Sequence, residues 1–422
     1  MAHGFPARLL ALLAIACALL SALGAGPAGA APGDPLRPFP QHQAYAPGSI
    51  RPSLVAQADQ DAAVAAIYSQ WKAGFLRPGC TPGRYYFWHG GRGGAGPGTV
   101  GTSEGQGYGM LIAAHMAGLD PDAHAIFDGL YAHFRDHPSL TSPDLMAWRQ
   151  LDGCVDSPDA YSATDGDLDI AYALLLADRQ WGSRGAINYL AEAGQLAAAI
   201  QAKEINPQTA LTQLGDWVSV SAPTTWFATR TSDWMPDHFK AFQAATGNLA
   251  WLTTAEATYR ALGSLQAAFA PATGLLPDFV VGTQLSPRPA GQAFLGEQNP
   301  GRYGWNACRV PWRLAADFLL DGDPRAKAAV GRIEDWFLAK TRGHPARVHA
   351  VYTLAGKPVE PYGDLAFTAP LAVGAMVDPK YQAWLNALWS ATVSASFDPV
   401  DYYGNTLRLL ATLVVSGNWW KP

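Results

Sequence analysis

Three stretches of this 422-residue chain place acids where a reaction could use them. The first, GTSEGQGYGM (Gly101–Met110), sets Glu104 alone among four glycines and runs into the apolar LIAAHMAGLD. Ser103 and Gln106 have the spacing of a capping box, which predicts a helix starting at Ser103 with Glu104 in its first turn. The helix dipole there favours the carboxylate, by roughly 0.3–1 kcal/mol at exposed positions. A proton donor needs the opposite, and burial can supply it, raising a carboxyl pKa by about 3–5 units. Glu104 is therefore a candidate general acid, provided that it is buried beside another carboxylate. The flanking glycines are expected to let a substrate approach the backbone.

The second stretch, ATDGDLDI (Ala163–Ile170), has three aspartates at alternate positions. It is not a calcium loop, because Ile170 stands at the required glycine and Leu176 at the final glutamate. Thr164 and Asp167 fit a capping pair, which leaves Asp165 to point out of the helix start, with Asp167 and Asp169 structural. The third stretch runs from Leu295 through Glu297, Asn306 and Arg309 to Pro311, which a helix tolerates only in its first turn. Asn306 and Arg309 are thereby placed at a helix start, and an arginine among carboxylates fixes which of them stays charged.

These starts belong to a rhythm. Six times a cluster of small, polar or aromatic residues opens a strongly apolar run, near Ser103, Thr164, Ser232, Asn306, Tyr362 and Tyr403. Six more amphipathic runs alternate with them, around 56–74, 122–136, 185–202, 251–268, 324–340 and 380–392. Helices apolar all round want burial, and those with a polar face want the outside. The pattern predicts an all-α fold of six helical hairpins, an (α/α)6 double barrel, with all inner N-termini at one mouth. Its expected limits are 54–422, preceded by an extended Pro- and Gly-rich arm over 31–53.

Residues 1–30 hold one base, Arg8, no acid, an apolar core and Ala28-Gly29-Ala30, the pattern of a cleaved secretory signal. Beyond it no apolar run long enough to span a membrane lacks charges. With Arg8 removed, 34 acids face 28 bases, so nucleic acid and anionic membranes are not expected partners. A secreted monomer is expected. Cys80, Cys154 and Cys308 fit no zinc spacing and allow one disulfide, with Cys80–Cys154 the expected pair. No motif for a metal, nucleotide or other cofactor is present. Fifteen tryptophans in such a chain suit flat sugar faces, Trp148, Trp217 and Trp234 being candidates with Tyr403, whereas Trp312 is expected to pack.

Taken together, SEGQGYGM, LMAWRQ (Leu145–Gln150), ATDGDLDIAYALLLA, TSDWMPDHF (Thr231–Phe239), CRVPWR and YYGNTLRLLATLVVSGNWW resemble glycoside hydrolase family 8, the inverting endoglucanases and chitosanases. The resemblance covers most of the chain and implies the same barrel, with Glu104 as general acid and Asp165 holding and distorting the sugar. Many members carry an aspartate base where this chain has Asn306, and an amide cannot take a proton from water. Other members place a loop glutamate before that helix, which implies Glu297 as base, with Asp278 a distant second. The expected activity is endo-cleavage of a β-1,4-linked glucan, cellulose or mixed-linkage, with chitosan the alternative substrate. A non-catalytic carbohydrate-binding barrel and a polysaccharide lyase are weaker readings, the latter because a basic cleft is lacking.

Overall fold

The computed structural model describes Met1 and residues 33–90 and 95–422. Apart from Met1, the expected signal segment, with Arg8 and Cys17, lies outside the described residues.

Six helices form a closed inner ring: α2 (Ser103–Met116), α4 (Thr164–Trp181), α7 (Pro236–Thr246), α9 (Val310–Asp321), α11 (Leu365–Gly374) and α13 (Tyr402–Val415). Each packs against the next in that order, and α13 packs back on α2. The residues of α2 and α13 are buried almost throughout, as expected for helices with no polar face. Around them lie α1 (Gln57–Phe75), α3 (Ala123–Asp136), α5 (Tyr189–Lys203), α8 (Ala250–Phe269), α10 (Pro324–Thr341) and α12 (Gln382–Ser394), and α6 (Pro223–Trp226) is a single turn between α5 and α7. The expected outer runs match these six to within a few residues. Five hairpins are continuous in sequence, and the sixth joins the two chain ends, α1 packing on α13.

Residues 33–52 cross the far end of the barrel, where the last carbonyls of each inner helix lack intrahelical partners. Backbone N–H groups of the arm reach four helix ends and the turn after α11. Leu36 donates to Gln180 (2.8 Å), Phe39 to Ala117 (2.7 Å), Gln43 to Gly417 (2.6 Å), Ala46 to Leu319 (2.8 Å) and Ile50 to Met376 (2.9 Å). The arm is thus a strap across α4, α2, α13, α9 and α11.

Short antiparallel strands gather at the opposite end. β3 (Thr99–Thr102) pairs with β4 (Arg149–Leu151), which pairs with β5 (Val155–Asp156), and β3 feeds directly into α2. β6 (Ala228–Arg230) pairs with β7 (Phe279–Val281), which pairs with β8 (Arg288–Pro289). Near the first sheet β1 (Leu76–Pro78) pairs with β2 (Tyr85–Phe87), and Cys80 is disulfide-bonded to Cys154, the expected pair. Cys308 is a buried free thiol. Among the described residues no helix is long and apolar enough to cross a membrane.

Two sequence expectations fail at the helix starts. The N-cap of α2 is Thr102, whose Oγ1 accepts from Gly105 N–H (3.1 Å); Gln106 instead donates to the carbonyls of Tyr85 and Leu130. The capping box is therefore absent, because Gln106 faces α3. In α4 no side chain caps the helix, Thr164 donating to the Gln213 carbonyl and Asp167 accepting from Met146 N–H (2.9 Å).

The glycines of α2 serve packing and not substrate access. A Cβ at Gly107 would stand 2.7 Å from Asp169 Cβ and 3.1 Å from the Gly166 carbonyl, and one at Gly109 would overlap the Phe87 ring. Gly107 and Gly166 let α2 and α4 approach backbone to backbone.

Candidate active site

The strap-free mouth collects the charged residues. Glu104 enters from the first turn of α2 and Asp165 from the first turn of α4. Arg230 closes β6, Asp233 follows in a 3-10 turn (Thr231–Asp233), and Arg309 ends another (Ala307–Arg309) just before α9. Pro311 lies in the first turn of α9, as its missing N–H requires.

Arg309 is the centre of the cluster. Its Nη1 donates to Glu104 Oε2 (2.6 Å), Asp165 Oδ2 (2.8 Å) and the Tyr108 hydroxyl (3.1 Å), and its Nη2 to Asn306 Oδ1 (2.9 Å). Arg230 Nη1 lies 3.5 Å from Asp165 Oδ1, and its Nε 4.0 Å from Asp233 Oδ2. Asp165 is therefore gripped by two guanidinium groups, while Glu104 touches one and keeps a side-chain exposure of 21 %.

Their protonation differs accordingly. Burial pushes Glu104 up to about 7 against the pull of Arg309, with the Asp165 charge adding to the rise. Burial would raise Asp165 too, but Arg230 and Arg309 outweigh it and hold that carboxyl well below the usual range. Two neighbouring acids are thus set far apart in pKa, one able to hold its proton up to about neutrality and one an anion. Asp233 is likewise raised to about 7 by burial, against Arg230.

Asp278, immediately before β7, is raised to about 7 by burial against three backbone N–H groups. Glu297 follows a short 3-10 turn (Phe294–Gly296) and is exposed on the loop before Arg309. Among the described residues it makes no side-chain hydrogen bond or ion pair, and the structure does not join it to the Glu104 cluster. Asp169, a buried residue of α4, holds Arg313 through both oxygens and His238 at 3.0 Å, a structural role as expected.

The aromatic candidates divide. Trp148 is half-buried, with the Arg149 guanidinium 4.9 Å from its ring, and its carbonyl accepts from Ser103 N–H (3.0 Å) at the head of α2. Trp217 is half-buried against Leu214, Ala228, Phe279 and Ala290. Tyr403 is half-buried and donates to the Trp305 carbonyl (2.7 Å). Trp234 is a correction: it is 1 % exposed in the core, its indole N–H given to Thr229, so neither face is open to a sugar. Trp312 packs as expected, with Arg313 3.9 Å over its ring.

Sequence reasoning passed over Arg230, Asp233, Tyr108 and the exposed Trp305. The run TRTSDW carried the signal for the first two, an arginine three residues before an acid at a helix start.

A model of the glycosyl hydrolases family 8 matches residues 51–417. The beta-glucanase of Niallia circulans is 42 % identical over 394 residues, covering 93 % of this chain and 94 % of that protein. The endoglucanase of Bacillus sp. (strain KSM-330) is 38 % identical, covering 92 % and 82 %. Among solved structures, the apo beta-1,3-1,4-glucanase from Paenibacillus sp. X4 superposes with a TM-score of 0.87 at 41 % identity, covering 93 % of this chain and all of that one.

Proposed function

The chain belongs to the glycosyl hydrolases family 8, and on that footing we propose that it is a secreted, monomeric, endo-acting β-glucanase working by single displacement with inversion. One observation carries this reading: Glu104 and Asp165 share the Arg309 guanidinium, yet burial raises the first carboxyl to about 7 while two arginines hold the second well below the usual range.

Glu104 gives its proton to the glycosidic oxygen as the C–O bond breaks. Glu297 takes a proton from the water that attacks the anomeric carbon on the opposite face. Inverting enzymes hold these two carboxyls about 6.5–9.5 Å apart, which leaves room for the water. The exposed Glu297 loop suits that duty because a base must meet solvent. Asp165 stays anionic, and so can accept hydrogen bonds from sugar hydroxyls and stabilise positive charge growing on the ring. Asn306 and Arg309 line the cleavage point, with Trp148, Trp217 and Tyr403 as sugar-facing walls. No cofactor is needed for this chemistry.

The names of the relatives, a beta-glucanase, an endoglucanase and a beta-1,3-1,4-glucanase, support a β-glucan substrate. Reducing-sugar assays on lichenan, carboxymethyl cellulose and chitosan test the reading. Release is expected from the first two, and Glu104→Gln and Glu297→Gln are each expected to lower kcat by about 10²–10⁴-fold. Near-normal hydrolysis by both variants, or release from chitosan alone, would overturn it.

A further inference from the structure

One side chain fastens the loop that delivers Arg309. Asp278 Oδ1 accepts the backbone N–H groups of Gly304 (3.0 Å), Asn306 (3.0 Å) and Ala307 (2.7 Å). Its main chain is tied as well, its N–H donating to the Arg302 carbonyl (2.7 Å) and its carbonyl accepting from Thr231 N–H (3.2 Å). A single oxygen therefore closes a nest of three donors where the chain turns into Ala307–Arg309. Gly304 permits this, because a Cβ there would overlap Asp278 Oδ2.

Such a carboxylate is poorly arranged to be a base. The oxygen holding three backbone protons is occupied, the other lies over Gly304, and the residue is 6 % exposed. Glu297, nineteen positions on, has the opposite surroundings: exposed, and with no side-chain partner among the described residues.

We infer that Asp278 is a positioning residue of the reaction, holding the Asn306–Arg309 backbone and through it the guanidinium set between Glu104 and Asp165. This rests on the hydrolase reading, in which Glu297 is the base. An amide at 278 still offers one oxygen to the three N–H groups, whereas alanine offers none. A displaced Arg309 also stops lowering the Glu104 pKa, a change that mere loss of folded enzyme cannot produce.

The experiment compares Asp278→Asn, Asp278→Ala, Gly304→Ala, the double Asp278→Ala/Gly304→Ala variant and Glu297→Ala on lichenan, across pH and with added azide. Azide can replace the activated water, forming a C–N bond at the anomeric carbon while the leaving oxygen takes the Glu104 proton. Asp278→Asn is expected within about tenfold of the natural kcat, whereas Asp278→Ala falls by about 10²-fold, the cost of a misplaced group. In Asp278→Ala the alkaline limb of kcat/KM moves to higher pH. Gly304→Ala reproduces that loss, and the double variant loses little more than either single one, because both disturb one contact. Azide restores turnover to Glu297→Ala and not to Asp278→Ala.

A natural kcat and unmoved limb in Asp278→Ala would overturn the positioning role alone. Azide rescue of Asp278→Ala, with Asp278→Asn as inactive as Glu297→Ala, would make Asp278 the base. A natural enzyme releasing no sugar from any substrate would overturn this inference together with the hydrolase reading.

Discussion

One nitrogen of Arg309 touches Glu104, Asp165 and Tyr108 at once, so its placement governs the proton balance of both acids. Lysine in its place is a point charge without the second nitrogen that holds Asn306. Arg309→Lys is expected to lower kcat by about 10²-fold, as a misplaced charge does. Because Arg309 lowers the Glu104 pKa, weakening it moves the alkaline limb of kcat/KM above its natural position near pH 7. A downward shift in the pH profile would contradict this. At this scale Glu104, Asp165 and Arg309 were legible, since each stands beside its own helix start. Arg230 and Asp233 were passed over although TRTSDW sets them three apart, because the Arg230–Asp165 contact that ties the pair to the site exists only once the ring closes. The caps were misread because Gln106 and Asp167 spend their hydrogen bonds on neighbouring segments.

Between elements, α2 and α4 meet backbone to backbone at Gly107 and Gly166, and this brings the Glu104 and Asp165 helix starts together. Gly107→Ala would gain helix propensity, worth about 1 kcal/mol in a helix interior. Against that, the new Cβ meets the Asp169 Cβ and the Gly166 backbone at 2.7 and 3.1 Å, neither of which can swing aside. Overpacking typically costs about 1–3 kcal/mol. Urea unfolding is expected to show net destabilisation, and a stabilised variant would refute the packing role. The six-fold alternation was readable because a helix apolar all round has nowhere to go but a ring's interior. The glycine function was not readable, since close helix packing and an open substrate path both call for a residue without a side chain.

Across the whole molecule, buried acids run from the mouth, where Glu104 and Asp233 lie, to Asp317 near the strapped end. Burial raises Glu104, Asp233 and Asp278 to about 7, Glu204 to about 8 and Asp317 to about 6. Each then holds its proton in the folded state after the unfolded chain has lost it, so stability falls as pH rises through these values. Buried His115 and His133, pushed down to about 4 and about 3, act oppositely below pH 6.5. The two histidines offset only part of the five acids, so the fall is expected from about pH 5 to about pH 8, as a declining Tm in calorimetry, and a rising Tm there would refute it. The arm was legible as an extended segment from its proline and glycine content. Its lacing of α4, α2, α13, α9 and α11 was not, because backbone N–H groups make those bonds and carry no sequence signal. All of this architecture serves one stereochemical event. Proton NMR of freshly hydrolysed lichenan reads it most directly: single displacement with Glu104 as acid predicts that the α-anomer appears first and then mutarotates. Initial release of the β-anomer would contradict it.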